Sequence, residues 1–345
     1  MRRLLVVALG FAITLGTAVA VASWYAQPAA VLAGRKLYWY RTQVEGKLRP
    51  WARPGAFRDR VVWIGDSTIL GFRNPSYPQI LEPELRRRGA QSRVLGAFGL
   101  DSYGQYFTLG RVLATLDPSI VVLVAHLRLF TRPGDAAAWE GRKTYTDLAS
   151  LMPMSELGRT LGLPLHQFGV SAVRLALLQS LKWPPAEQVF YGAEGLRAAF
   201  QKGGAEADGT PLADHMGNLR AALRASDVEI GPAHPLVRML QGAVSMATER
   251  GVRCIVVGTP IPWQGMQTLG LWDEERFAMR FDVLRRAVEG AGGTFLDLHR
   301  ELDATELRDA VGHFNRNGAR HMVRAVRPTV LGALQRPSAR GERGK

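Results

Sequence analysis

The sequence predicts an α/β fold, a three-layer α/β/α sandwich on a five-stranded parallel sheet with a helical insertion. Three observations carry this expectation. From residue 60 onward, short apolar runs alternate with amphipathic stretches, the pattern of a parallel sheet covered on both faces by helices. The first run, Val61-Val-Trp-Ile64, passes straight into Gly65-Asp66-Ser67, which delivers a hydroxyl at a strand's carboxyl end, where α/β folds place chemistry. Residues 131 to 245 then break the rhythm with helical patterns, turn clusters at Trp183-Pro-Pro and Gly203-Gly204, and no convincing strand.

In chain order, the apolar runs predict strands over 61–64, 92–95, 120–125, 252–257 and 294–298. Amphipathic stretches over 80–88, 107–116 and 281–289 predict helices between them. A final helix carries the apolar stripe Met322, Val323, Val326, Val330 and Leu334, which reads as core. The insertion, about 131–245, falls between the third and fourth strands, at the sheet edge where lids and acceptor-binding walls are built. The sandwich therefore spans 60–335, and the basic, Gly-rich tail 336–345 is expected to be disordered.

At the amino end, Arg2 and Arg3 precede a charge-free stretch that runs from Leu4 to Arg35 and includes Trp24 and Tyr25. Residues 1–30 read as a signal anchor or a signal peptide. Ala20-Val21-Ala22 suits cleavage, whereas the uninterrupted length and the aromatic pair suit a spanning helix, the reading we favour. Either way the two arginines stay cytoplasmic and the rest is exported; with one cysteine and so no internal disulfide, such a chain fits a bacterial inner membrane with its exported part in the periplasm. Residues 31–59, with Trp39, Tyr40, Trp51 and Pro54, read as a membrane-proximal connector.

Composition narrows the classes further. With 345 residues, 47% of them hydrophobic, the chain can bury a full core and is not a disordered protein. The single cysteine, Cys254, lies in an apolar run and reads as a small core residue. The chain carries 44 basic and 30 acidic residues; residues 1–34 hold two of the basic ones and no acid, which leaves the exported part at +12. Such a surface attracts polyanions, but no zinc-finger spacing or aromatic-basic RNA-binding motif supports nucleic acid as a partner. No His-Glu-x-x-His or Cys-x-x-Cys pattern exists, so neither metal nor cofactor is expected, although Asp297, His299, His313 and His321 cluster late in the chain.

A serine hydroxyl becomes a nucleophile only beside a base that a third group orients. Ser67 lies early, and Asp309 with His313 lies late, just before the final helix, so the three form a candidate triad. The Gly-x-Ser-x-Gly elbow of ordinary α/β-hydrolases is absent. Residues 61–71 instead resemble the first signature block of the SGNH, or GDSL-type, hydrolases, and His313-Phe-Asn315-x-x-Gly318 resembles their last. The resemblance covers roughly 58–334 apart from the insertion. It implies a flavodoxin-like sandwich with Ser67 as nucleophile, His313 as base, and an upstream acid orienting the histidine. Asp309 stands four residues before His313, one more than the family spacing. Gly312 could absorb the extra residue, with Asp303 or a main-chain carbonyl as alternatives to Asp309. For the oxyanion hole the second block implies Gly99, with Gly104 in reserve. Where the third block carries asparagine this chain has His126, followed by Arg128, and either side chain could donate to a developing oxyanion.

The function this implies is an exported, membrane-tethered serine esterase or acyltransferase that moves acyl groups, acetyl first among them, on a cell-envelope carbohydrate. Anchored SGNH proteins resemble the periplasmic partners of membrane-bound O-acyltransferases, which makes such an enzyme a candidate partner. Two alternatives stay open: a lipase or lysophospholipase working on a lipid substrate at the bilayer surface, and a catalytically silent glycan-binding or scaffold module.

Overall fold

The computed structural model describes residues 44–49, 51, 57–70, 75–97, 100, 102–127, 130, 230–308 and 312–335, together with residues 10, 13, 14 and 17. Five strands form one parallel sheet: β1 (Asp59–Gly65), β2 (Ala90–Gly96), β3 (Ile120–Ala125), β4 (Arg253–Gly258) and β5 (Thr294–Asp297). The helices are α1 (Tyr77–Arg87), α2 (Ser102–Thr115), α3 (Pro235–Thr248), α4 (Trp263–Thr268), α5 (Glu274–Gly290) and α6 (Arg316–Gln335). All five predicted strands are present in order, and the α/β class holds.

The strand order is β2-β1-β3-β4-β5. The chain steps from β1 outward to β2 and then returns to the other side of β1 for β3, so the winding reverses between β1 and β3. The crevice outside the carboxyl ends of those two strands is the topological switch point, where open α/β sheets bind ligands. Ser67 follows β1 there and His126 follows β3. Alternation along the strands feeds two cores. Val62 and Ile64 join Leu109, Leu240, Phe277 and Phe281 on the face covered by α2, α3 and α5, while Val61 and Trp63 join Tyr77, Leu85, Met322 and Val326 under α1 and α6. Every residue of β3 is buried, as a central parallel strand requires. Cys254 is a core residue of β4, and burial pushes its thiol up to about 12.

Helix starts follow from local chemistry. Ser76 and Gln79 form a capping box at α1, with the Ser76 N–H donating to Gln79 Oε1 at 2.8 Å. Asp273 caps α5 by accepting from the Arg276 N–H at 3.0 Å.

Two stretches sit differently from the sequence expectation. Helix α3 takes up the last part of the predicted insertion. Its Leu236, Val237, Leu240 and Val244 are buried in the first core, so from Pro235 onward the chain is the helix that leads into β4. In the predicted connector, Val44 and Trp51 are buried in that same core. Trp51 Nε1 donates to the Leu116 carbonyl at 2.6 Å, and the Arg93 guanidinium lies 4.2 Å from the centre of its ring. Lys47 Nζ donates to the Val94 carbonyl at 3.2 Å, giving edge strand β2 a partner on its open side; burial first, and the Arg93 charge second, lower the Lys47 pKa. Residues 44–49 and Trp51 of the predicted connector thus pack against the sandwich. Among the described residues no helix is long and apolar enough to cross a membrane. Most of the predicted amino-terminal segment, residues 131–229 of the predicted insertion, and the tail 336–345 lie outside the described residues.

Candidate active site

Immediately after β1 the chain turns into a single 3-10 turn, Ser67–Ile69. Asp66 caps it: its carboxylate accepts from the Thr68 N–H at 2.9 Å and from Thr68 Oγ1 at 2.6 Å. Gly65 is required one residue earlier, because a Cβ there would lie 2.8 Å from Val124 Cβ on the neighbouring strand. The turn sits against the sheet with Ser67, Thr68 and Ile69 all buried. The serine hydroxyl is therefore held on a rigid element at the switch point.

His313 reaches Ser67 from the other end of the chain. The segment 307–314 leaves and returns at one point, closed by an antiparallel bridge between Leu307 and Phe314. On either side of the bridge, the Arg308 N–H donates to the His313 carbonyl at 2.7 Å and the Asn315 N–H donates to the Glu306 carbonyl at 3.0 Å. Asn315 then starts α6: its Oδ1 accepts from the Asn317 and Gly318 N–H groups at 3.0 Å each, and its Nδ2 donates to the Thr305 carbonyl at 2.6 Å. The His-Phe-Asn-x-x-Gly spacing thus describes a histidine on a closed loop whose stem is the helix start. His313 Nε2 lies 2.8 Å from Ser67 Oγ. With the ring proton on Nδ1, the hydroxyl donates to Nε2, which is the contact that general-base activation of a serine needs.

Asp309 lies outside the described residues. Asp303 is committed elsewhere, because it accepts from Gln264 Nε2 at 3.0 Å and caps the short turn Ala304–Glu306. Gly312 has φ of +90°, a conformation that favours glycine. A Cβ at Gly312 would lie 3.0 Å from His126 Nε2 and 3.3 Å from the Pro260 carbonyl oxygen. The His126 ring is buried and abuts the backbone that carries the base. Gly99 and Arg128 lie outside the described residues, and Gly104 is buried in the first turn of α2.

An aromatic chain supports the pair from below. Tyr77 meets Trp63 of β1 edge to face at 5.8 Å and Phe314 at 5.9 Å, so the strand that carries Ser67 and the loop that carries His313 share one filler. Sequence reading missed Tyr77; its place just after a helix cap was the available signal. The phenol is fully buried, and its hydroxyl has no hydrogen-bond partner among the described residues. Burial, with the Asp66 charge second, holds its pKa well above the ordinary tyrosine value. A buried hydroxyl without a partner costs about 1–3 kcal/mol. Tyr77→Phe keeps the ring and is expected to stabilise the protein by about 1 kcal/mol, read as a Tm higher by about 2 °C with activity unchanged. A lower Tm would show that the hydroxyl is bonded.

The remaining late histidines serve the scaffold. His299 Nδ1 lies 2.6 Å from Asp297 Oδ1, and its ring stacks on Phe281 at 4.4 Å. Burial alone would raise the Asp297 pKa, but the His299 hydrogen bond and the His299 and Arg285 charges lower it on balance. His321 spans Glu306 and Glu301 at 3.0 and 3.1 Å, tying α6 to the stem of the base loop. Among the described residues no group of three or more His, Cys, Asp or Glu could hold a metal ion.

No protein-family model and no curated protein matches the chain. Solved structures similar to it include a GDSL-like lipase from Bacteroides thetaiotaomicron, 10% identical at a TM-score of 0.42, covering 88% of this chain and 99% of that one. A catalytic mutant of an acetylxylan esterase from Geobacillus stearothermophilus is 12% identical at a TM-score of 0.42, covering 79% and 94%. Another acetyl xylan esterase is 13% identical at a TM-score of 0.38, covering 79% and 99%.

Proposed function

We propose that the chain is an SGNH-type serine esterase or O-acyltransferase that moves an acyl group, acetyl first among candidates, on or off a cell-envelope carbohydrate. The observation that carries this reading is the 2.8 Å contact between His313 Nε2 and Ser67 Oγ at the switch point of the sheet. Such a contact supports an enzyme over a silent binding module, because no packing role requires a base to face a strand-end hydroxyl.

In the first half-reaction, Ser67 Oγ attacks the ester carbonyl as its proton passes to His313 Nε2. The tetrahedral adduct collapses when that proton is handed to the departing sugar oxygen, which leaves an acyl-serine. In the second half, His313 takes a proton from water or from an acceptor hydroxyl as that oxygen attacks the acyl-serine, then returns it to Ser67 Oγ as the bond to the acyl group breaks, which frees the serine. Water makes the chain an esterase; a sugar hydroxyl makes it a transferase. The charge-free segment before Arg35 supports export and tethering, and the resemblance of anchored SGNH proteins to envelope O-acylation partners supports carbohydrate as substrate.

Intact-mass analysis after incubation with an activated acetyl ester tests this reading. One acetyl group should be gained per wild-type chain and none by Ser67→Ala. Adding an acetyl-accepting oligosaccharide then separates the two outcomes, since a transferase moves the label to sugar while an esterase releases acetate. An unmodified wild-type chain with an intact fold would overturn the proposal.

A further inference from the structure

Charge is divided unevenly between the helices of the sandwich. The 20 residues of α6 include four arginines and no acid. Arg316, Arg320 and Arg324 follow one another at four-residue spacing, so they form one row, each about 6 Å along the axis from the next and all within roughly 80° around it. All three are exposed, and none has an ion pair among the described residues. Arg327 is taken by Glu84 of α1 at 2.7 and 2.8 Å. The acids of the adjoining stem are taken as well, Glu306 and Glu301 by His321 at 3.0 and 3.1 Å. Such a row does nothing for the helix. Like charges four residues apart disfavour it, and other helices relieve their exposed arginines with acids at that spacing, Arg86 with Glu82 on α1 and Arg286 with Asp282 on α5. The row also has a direction. Arg316 comes three residues after His313, whose Nε2 faces Ser67, and near the other end of α6 the Ala333 carbonyl accepts from Arg253, the first residue of β4. The row therefore starts at the catalytic edge and runs toward the amino ends of the strands.

We infer that this row is a substrate subsite for an acidic glycan, whose carboxylates pair with Arg316, Arg320 and Arg324 while an acylated sugar at one end of the bound stretch reaches Ser67. The inference rests on the serine-enzyme reading above and narrows its carbohydrate to one that bears carboxylates. A guanidinium suits a carboxylate because its planar fork donates two parallel N–H bonds to the two oxygens. Several of them along one straight helix suit a polymer with repeated charges, since the first pair formed holds the next carboxylate close to its partner. An anionic bilayer is the other polyanion that an exported chain meets. A helix that enters a bilayer surface buries Trp, Phe or Leu beneath its cations. The exposed large hydrophobic residues among the described ones are Ile13, Leu271 and Met279, none of them on α6, so the row is built for a soluble polyanion.

The test uses the full chain in neutral detergent as wild type, as Arg316→Gln/Arg320→Gln/Arg324→Gln and, for comparison, as Arg285→Gln/Arg286→Gln on α5. The probes are polygalacturonate oligomers and the same oligomers with their carboxylates reduced to alcohols. Kd is measured by calorimetry, and the rate of Ser67 labelling by a fluorophosphonate is followed with and without saturating oligomer. Wild type should bind the acidic oligomer roughly tenfold more tightly than the reduced one, the combined effect of three exposed ion pairs, and added salt should shrink the preference. The triple variant should lose it and the α5 variant should keep it. Bound acidic oligomer should slow the labelling of wild-type Ser67, because its end covers the catalytic edge. Equal affinity for the two oligomers, or a preference that survives the triple substitution, would overturn the inference. So would an acidic oligomer that binds without slowing the labelling, which would make the row an anion site apart from catalysis. If the triple variant loses affinity for phosphatidylglycerol vesicles over phosphatidylcholine ones while oligomer binding ignores charge, the row meets lipid headgroups and the glycan assignment falls. Failure of a folded wild type to be labelled at Ser67 would overturn the enzyme reading itself, whatever the oligomers do.

Discussion

His313→Ala should slow acylation of Ser67 by at least about ten-thousandfold. At neutral pH a serine hydroxyl is almost wholly protonated, and His313 Nε2, 2.8 Å from Ser67 Oγ, is the group placed to take its proton. Ser67→Ala should form no acyl-enzyme and cut ester turnover as much as His313→Ala does, and the double variant should turn over no more slowly than either single one, because two groups that act in one proton transfer fail together. Neither change should cost more than about 1–3 kcal/mol of stability, the scale of hydrogen bonds lost with little packing. The measurements are the acylation rate of His313→Ala, the turnover of an activated ester by all three variants, and the Tm. Turnover near the wild-type rate in either single variant, or losses that simply add, would remove the assignment.

This pair was legible in the sequence although 246 residues separate its members. Each carries its own local signal, a strand running into a turn hydroxyl for Ser67 and a histidine ahead of a helix start for His313. Parallel topology does the rest by bringing the strand's end and the last helix's start to one edge. Strand ends were less legible. β1 begins at Asp59 and β2 at Ala90, ahead of the apolar runs, because pairing is made by main-chain groups and continues under polar side chains such as Arg60 and Gln91. The burial of Val44 and Trp51 was not legible, since an aromatic residue near an apolar segment suits a bilayer or a protein face equally well. Gln105, buried on α2 with its Nε2 donating to the Val124 and Leu100 carbonyls, was missed for a related reason. A lone polar residue on a helix looks like surface until its position on the buried stripe is known, and the buried face of α2 was fixed only once the helix began at Ser102 rather than at 107. For His126 the sequence supplied a place at the end of β3. What its ring touches was set by the backbone at Gly312, which no pattern of residue types encodes.

The base loop depends on a second glycine, and there two physical effects oppose each other. Gly318 is the third residue of α6, and by helix propensity alone Gly318→Ala would stabilise the protein by about 1 kcal/mol. The approach of the loop stem forbids it. A Cβ at Gly318 would overlap the Glu306 carbonyl oxygen and lie 3.1 Å from its carbon. Those are backbone atoms, which cannot swing aside as a side-chain tip can. The same carbonyl accepts from the Asn315 N–H, and the Asn315 side chain holds both the Thr305 carbonyl and the first amides of α6. Making room therefore breaks the stem from which the loop to His313 departs. Forced overpacking costs about 1–3 kcal/mol and sometimes more. Steric cost wins, and Gly318→Ala is expected to lose about 2 kcal/mol overall, a Tm lower by about 4–8 °C. Acylation of Ser67 per folded molecule should fall more than about tenfold, because an error of about 1 Å in a catalytic group is felt at that scale. The control lies on the same helix. A Cβ at Gly332 meets nothing within 4 Å, so Gly332→Ala feels propensity alone and should raise stability by up to about 1 kcal/mol with acylation unchanged. Thermal melts and acylation rates of the two variants side by side separate a helix effect, which both share, from the contact with Glu306, which only one makes. If Gly318→Ala proved as stable and as active as Gly332→Ala, the stem would not be what holds His313 against Ser67.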